Sequence, residues 1–192
     1  MKYLKMLGLA VLMGAALATL FGTGTASATV LYSNGSALPK GTLIEVTGTN
    51  GVFKAGFMTI ECSHSELDLK TSTQGSATQP VEGSVNTLKF SGCNATVTVI
   101  KTGKLVFHYT SGSNGTITSE GTEITINNHS FSCTYGTPVA TDLGAVAGGT
   151  PARWNANASL TKISGGFLCA TPASWTASYT FTTPSPLEVK ES

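Results

Sequence analysis

Apolar and polar side chains alternate with a period of two along most of the chain after residue 28. The clearest case lies near the C-terminus, where Trp175, Ala177, Tyr179 and Phe181 alternate with threonines and serines. Successive side chains of a strand point to opposite faces, so this alternation predicts strands with one buried and one solvated face. No segment after residue 28 has a convincing 3.6-residue period, and the sequence therefore predicts an all-β protein.

Short turn sequences separate the alternating segments. They occur at Asn34-Gly35, Asn50-Gly51, Thr102-Gly103, Asn114-Gly115 and Asn127-Asn128. Roughly ten to twelve short strands with such turns predict an antiparallel β-sandwich or jelly roll. Residues 137–151, rich in Gly, Ala and Thr, are interpreted as a crossing loop between substructures.

The N-terminal 28 residues follow a different pattern. Lys2 and Lys5 precede an uncharged apolar run over residues 6–21, and the segment ends on Ala26-Ser27-Ala28. A basic start, an apolar middle and an A-x-A end predict a secretory signal peptide that is cleaved after Ala28. The alternative is a membrane anchor, but the run is shorter than the roughly twenty residues that span a bilayer. Residues 29–192 are predicted to form a single β-sandwich domain.

Removal of that segment changes the charge of the protein. Nine basic and ten acidic residues remain, so the net charge of the mature chain is −1, compared with +1 for the full sequence. Such a chain has no basic face for phosphates, which argues against nucleic acid or anionic lipid as partners. Its 27 threonines and 19 serines supply polarity instead, and threonine also favours strands.

Four cysteines, Cys62, Cys93, Cys133 and Cys169, remain in the mature chain. An even number in an exported protein predicts two disulfides, with three possible pairings. Sequential pairing is preferred, because each half of the chain then has one local crosslink. A zinc site is the alternative, although neither a C-x-x-C motif nor a pair of histidines at ligand spacing occurs.

His64, Glu66 and Asp68 occupy alternate positions after Cys62. On an extended backbone all three share one face, where they could bind a metal ion or combine an acid with a base. The alternative is a solvated strand end, with Leu67 and Leu69 facing the core. Metal sites on strands usually need ligands from other segments, and the sequence does not place His108 or His129 beside this row.

No catalytic residue is assigned. A Ser-His-Asp triad is compatible with the composition, but the G-x-S-x-G elbow and other nucleophile motifs are missing from the sequence. Trp154 and Trp175 are possible ligand-binding residues, because exposed aromatic rings on β-sandwiches can stack on sugars. Each Trp also begins an alternating apolar series, which is typical of a core face. No cofactor is expected.

Several motifs near the C-terminus carry a resemblance. They are Leu168-Cys169, Trp175, Tyr179 and the Pro184-Ser185-Pro186-Leu187 stretch, together with Gly92-Cys93-Asn94 and Asp142-Leu143-Gly144. With the signal peptide and four cysteines, they resemble a group of uncharacterised secreted bacterial β-sandwich proteins. The resemblance implies bacterial export and a disulfide-bonded β fold, and it carries over no catalytic or binding residue.

Three functional hypotheses follow for the exported protein. The first is a non-enzymatic structural or adhesive protein of the cell surface or extracellular matrix, whose partners are surface or matrix components or a second copy. The second is an extracellular glycan- or ligand-binding module. The third is a secreted hydrolase, which would need His64 or His108 close to a serine and a carboxylate. No transmembrane segment is predicted in the mature chain.

Overall fold

The computed structural model describes residues 28–128 and 130–192. The predicted signal peptide lies outside the described residues, apart from Ala28. The described chain is all-β and antiparallel and contains no helix, as the alternation predicts. In particular, nothing in these two ranges forms a helix long and apolar enough to cross a membrane.

The described residues form fourteen strands. In chain order they are β1 (Val30–Ser33), β2 (Ser36–Ala37), β3 (Leu43–Ala55), β4 (Met58–Thr71), β5 (Val81–Cys93), β6 (Thr96–Lys101), β7 (Lys104–Ser111), β8 (Asn114–Glu120), β9 (Glu123–Asn128), β10 (Phe131–Gly136), β11 (Thr141–Ala147), β12 (Arg153–Gly165), β13 (Ala173–Thr183) and β14 (Glu188–Lys190).

Eight of these strands close into a barrel. They pair in the order β3, β4, β5, β7, β8, β11, β12 and β13, and β13 pairs back with β3. The barrel replaces the predicted sandwich or jelly roll. An alternating pattern shows that a strand has one buried face, but the inner wall of a barrel and the inner face of a sandwich have the same pattern.

The strand that closes the barrel lies in the segment interpreted as a crossing loop. That interpretation of residues 137–151 is wrong, because β11 pairs with β8 on one side and with β12 on the other. Only Val146 of this strand is buried. Its backbone hydrogen bonds to two neighbours therefore hold it in place, and its side chains contribute little of the alternation that a sequence pattern detects.

Three further strands extend one end of the barrel. β10 pairs with the C-terminal part of β12, β9 pairs with β10, and β6 forms the edge. At the opposite end, β1 pairs with β2 and β14 in a small sheet, and its residues Leu31 and Val189 are buried in the barrel core. The barrel thus has a covered end and an extended end.

A bulge interrupts β3, whose side chains contribute to the hydrophobic cores of both halves of the molecule. Thr49 pairs with Ser178 and Val52 with Thr176, so Asn50 and Gly51 together lie opposite Ala177. Asn50 has a φ of 54°, a left-handed conformation that asparagine tolerates better than most residues. The prediction of a turn at Asn50-Gly51 is therefore wrong, and the same two residues form a bulge inside a strand.

Two hydrophobic cores lie along these strands. The barrel core contains large buried side chains such as Ile44, Phe107 and Phe181. The distal core lies beneath the extension and includes Phe53 and Tyr135, whose rings pack 4.9 Å apart.

Two disulfides crosslink the distal half, and the preferred sequential pairing is confirmed. Cys62 on β4 is bonded to Cys93, the residue it faces on β5. Cys133 on β10 is bonded to Cys169, which lies between β12 and β13. These crosslinks are consistent with an oxidising location, extracellular or periplasmic.

Candidate functional site

A pair of stacked aromatic rings fills the middle of the barrel. Trp154 on β12 lies over Tyr179 on β13, with ring centroids 4.4 Å apart and planes inclined by 17°. The indole N–H of Trp154 donates to the carbonyl oxygen of Leu143 at 3.1 Å. Trp154 is 3% exposed, so its indole faces the interior and offers no surface on which an external sugar could stack.

A glycine, which has no side chain, packs against the other side of the Tyr179 ring. Gly48 on β3 pairs with Tyr179, and a Cβ at Gly48 would lie 2.7 Å from Cδ1 of that ring. Burial raises the pKa of Tyr179, and hydrogen bonding with Ser65 and Trp175 opposes part of that rise.

Trp175 lies at the junction between the barrel core and the distal core. It is half-buried, and its ring makes an edge-to-face contact with Phe90 on β5, with centroids 5.1 Å apart. Gly51 leaves room for the indole, since a Cβ there would lie 2.8 Å from Cζ2 of Trp175. The residue therefore packs against both cores.

An apolar cavity of about 80 Å³ separates the barrel core from the distal core, and we call it the inter-core cavity. Its lining is Leu67, Val85, Leu88, Phe90, Thr102, Leu105, Ser119, Thr122, Ile124, Thr137, Leu143, Trp154, Ala156, Ala158, Leu160, Trp175 and Tyr179. Protein interiors are normally close-packed, and the apolar side chains around this space lack packing contacts that a filled core would give them.

Three hydroxyl groups in the cavity lining bond to one another or to the backbone. The Ser119 hydroxyl lies 2.9 Å from that of Thr122 and 3.0 Å from that of Thr137. Thr122 also donates to the carbonyl oxygen of Thr102 at 2.9 Å. Within the described part of the chain, no buried side-chain nitrogen or oxygen lacks a hydrogen-bond partner. The cavity wall therefore offers contact to apolar groups and little unused hydrogen-bonding capacity.

The cavity lies behind a gap in the sheet. Residues 87–93 of β5 pair only with β4, and β6 pairs only with β9, among the strands described. The two strands are consecutive in the chain but form no ladder with each other. Side chains along this gap are only half-buried, namely Leu88, Phe90, Val97 and Val99. The half-buried side chains at this gap include Leu88 and Phe90 of the cavity lining.

The row of His64, Glu66 and Asp68 lies on the solvated side of β4. Nε2 of His64 is 3.4 Å from Oε1 of Glu66, and both side chains are well exposed. The structure does not join Asp68 to this pair, and among the described residues no group of three His, Cys, Asp or Glu is placed to hold a metal ion. Leu67 and Leu69 point to the barrel core instead.

His108 has a partner that the sequence did not indicate. Its Nε2 lies 3.1 Å from the hydroxyl oxygen of Thr118 on the neighbouring strand β8. Burial lowers the pKa of His108, and the charge of Asp142 opposes that shift. The histidine thus meets a threonine, where the hydrolase hypothesis required a serine, and His129 lies outside the described residues.

Two exposed phenylalanines form a second candidate site, which we call the aromatic tip. Phe57 lies in the β3–β4 turn and is 74% exposed, and Phe167 lies in the loop after β12 and is 93% exposed. The two loops adjoin, because a Cβ at Gly56 would lie 2.7 Å from the Cβ of Ala170. Each ring follows a glycine, a sequence signal for an exposed turn that could have identified it.

Two hydrogen bonds and a disulfide hold the tip loop after β12. Cys169 N–H donates to the carbonyl oxygen of Gly166 at 3.1 Å, which closes a tight turn around Phe167. The Lys162 ammonium donates to the same oxygen at 3.0 Å, and the disulfide to Cys133 fixes the end of the turn. Phe167 is thus presented to solvent from a braced backbone.

Comparisons with protein-family models, with curated proteins and with solved structures give no match for this chain. The resemblance to secreted bacterial proteins therefore stays a prediction. The inter-core cavity and the aromatic tip have to be interpreted from their own chemistry.

Proposed function

We propose that this protein is an exported, non-enzymatic structural or adhesive protein of the cell surface or extracellular matrix, and that it attaches through the aromatic tip. The signal-peptide pattern, the resemblance to secreted bacterial proteins and the two disulfides support export. The observation that carries the adhesive role is the exposure of Phe57 and Phe167 on adjoining loops.

Exposed aromatic rings at one end of a molecule are a source of binding energy. Transfer of a phenylalanine side chain from water to an apolar environment gains about 1.5–3 kcal/mol. Two rings on neighbouring loops can therefore supply several kcal/mol once a partner covers them. Aromatic residues are enriched in the buried centres of protein interfaces for this reason.

The bracing of the tip favours this role. A flexible loop loses conformational entropy when it binds, at roughly 1–2 kcal/mol for each backbone residue that becomes ordered. The Cys133–Cys169 disulfide and the turn closed by Cys169 and Gly166 already order the loop around Phe167. Preorganisation of this kind leaves more of the contact energy for attachment.

The test is fractionation of a bacterial host that exports the full chain. We expect the wild-type protein to be found with cells or matrix, and the double variant Phe57→Ser/Phe167→Ser to be found in the medium. The matched control is Val139→Ser, since Val139 is 67% exposed on the loop before β11. A wild-type protein that diffuses freely as a monomer, or a double variant that attaches as the wild type does, would refute the proposal.

A ligand-binding module is the second candidate function, and the inter-core cavity favours it. This candidate differs from the sugar-stacking hypothesis, since Trp154 is enclosed and Trp175 faces the junction of the two cores. A ligand would therefore meet these residues inside the protein.

A further inference from the structure

We infer that the inter-core cavity is a binding site for a small uncharged apolar molecule, or for the end of a hydrocarbon chain, which enters through the gap between β5 and β6. This inference deepens the second candidate function and is independent of the aromatic tip.

The chemistry of the wall selects the ligand class. None of the described lining residues is charged, and most are aliphatic or aromatic. The lining hydroxyls of Ser119, Thr122 and Thr137 are bonded to one another. A polar ligand would lose its water and find few free partners, which disfavours its entry. An apolar ligand would gain dispersion contacts that the wall now lacks.

Two alanines keep the space open. On the inner face of β12, Ala156 and Ala158 lie between the larger Trp154 and Leu160, and all four line the cavity. Both alanines are buried, so a larger apolar residue at either position would fill the void from the wall. The sequence thus places small side chains at the positions that determine the volume of the cavity.

The gap provides an entry path. In the described structure no strand pairs with the outer edge of β6 or with residues 87–93 of β5 on the side away from β4. Leu88 and Phe90 belong to the cavity lining and are half-buried at this gap. A movement of these two side chains would widen the access from solvent to the cavity without loss of a strand ladder.

The size limits what fits. The cavity measures about 80 Å³, whereas an engineered apolar cavity of about 150 Å³ binds benzene or xenon. The ligand is therefore a compact group of few heavy atoms, or a chain whose end enters while its remainder lies in the gap. Benzene is the probe for a compact ligand, and 1-octanol is the probe for the end of a hydrocarbon chain.

The experiment titrates the full chain with each probe and follows the two indole N–H signals by NMR, with Trp154→Phe used to assign them. We expect a saturable shift of the Trp175 signal. Saturation by benzene alone would identify a compact ligand, and saturation by 1-octanol alone would identify a chain end. Both indole signals unchanged up to the solubility of both probes would overturn the inference.

Two variants test the location of the site. Ala158→Phe fills the cavity and should raise the Kd of either probe by about tenfold or more, which corresponds to about 1.4 kcal/mol. Ala145→Leu, on an exposed position of β11, is the control and should bind as the wild type does. Binding by Ala158→Phe with unchanged affinity would place the probe elsewhere and refute the inference.

Leu88→Ala keeps the test decisive if Ala158→Phe fails to fold. Truncation of Leu88 enlarges the cavity and its mouth, so the Kd for benzene should fall, and an unchanged Kd would contradict the inference.

Phe57→Ser/Phe167→Ser should bind both probes normally, because the tip does not line the cavity. Failure of the adhesive role and failure of this site are therefore separate results.

Discussion

Replacement of Gly48 by alanine would test how the aromatic centre of the barrel is built. Gly48 is buried on β3, and its backbone φ is not positive, so alanine adopts the same backbone without strain. The added Cβ would overlap Oγ of Ser65 and Cε1 of Tyr179, and would lie 2.7 Å from Cδ1 of Tyr179. The effect of Gly48→Ala is therefore steric, and the closest contacts of the added Cβ are with these two neighbours.

The Tyr179 ring has little freedom to move away. Trp154 stacks on it with a centroid distance of 4.4 Å, and Tyr179 hydrogen-bonds with Ser65 and Trp175. Overpacking of a close-packed core costs about 1–3 kcal/mol, and a displaced hydrogen bond adds about 1 kcal/mol. We expect the free energy of unfolding to fall by about 3 kcal/mol. For a protein of this length that corresponds to a decrease in Tm of about 6–12 °C.

The measurement is urea unfolding of wild type and variant, with thermal unfolding as a second readout. Gly166→Ala is the matched control, since a Cβ at Gly166 meets no atom within 4 Å and its φ is not positive. We expect that control to change the stability by less than about 0.5 kcal/mol or to raise it slightly. A cost for Gly48→Ala of under about 1 kcal/mol would refute the steric reasoning.

A double-mutant cycle separates overlap with Tyr179 from other effects. Tyr179→Leu removes the ring that the new Cβ strikes, so Gly48→Ala should cost less in that background than in the wild type. Equal costs in both backgrounds would show that Tyr179 is not the source of the strain.

Three further predictions concern the crosslinks, the hydroxyl cluster and pH. Loss of the Cys133–Cys169 disulfide, which joins residues 36 apart in sequence, should lower the free energy of unfolding by about 4 kcal/mol in the chain-entropy model. A Cys133→Ala/Cys169→Ala variant as stable as the oxidised wild type would contradict this. Thr137→Val should cost about 1–3 kcal/mol in urea unfolding. It removes the acceptor of the Thr122 backbone N–H, at 3.3 Å, and one of the two hydroxyl partners of the buried Ser119. A stability equal to that of the wild type would contradict the network. Because the pKa of Tyr179 is raised in the folded state, the contribution of this group to stability is complete below about pH 10 and decreases as the pH rises, by at most about 1.4 kcal/mol per pH unit. Tyr179→Phe should make that decrease smaller when the free energy of unfolding is measured between pH 9 and 11.

The outcome for particular elements shows which features a sequence pattern can detect. β13 was predicted from Trp175, Ala177, Tyr179 and Phe181, because its buried side chains alternate regularly and local geometry alone produces that pattern. The sequence predicts a loop where β11 lies, because only Val146 on this strand is buried and its position depends on pairing with strands distant in the chain.

The candidate sites show the same division. The two phenylalanines of the tip follow glycines, which is a local signal, yet their proximity depends on the contact between Gly56 and Ala170 across two loops. The sequence is compatible with Trp175 as a surface ligand site or as a core residue, and the structure places it at the junction between the cores. No local pattern reports a void between two cores, since its wall comes from many separate strands.

The sequence by itself determined the all-β character of the chain and favoured two sequential disulfides over the other pairings, on the basis of alternation, turn chemistry and an even number of cysteines. Only the tertiary structure decided that the sheet closes, that Asn50-Gly51 is a bulge and not a turn, and that a cavity remains behind β5 and β6. The physical reason is that strand alternation records which face of a segment is buried, whereas closure and cavities depend on which distant segments pair and how completely their side chains fill the space between them.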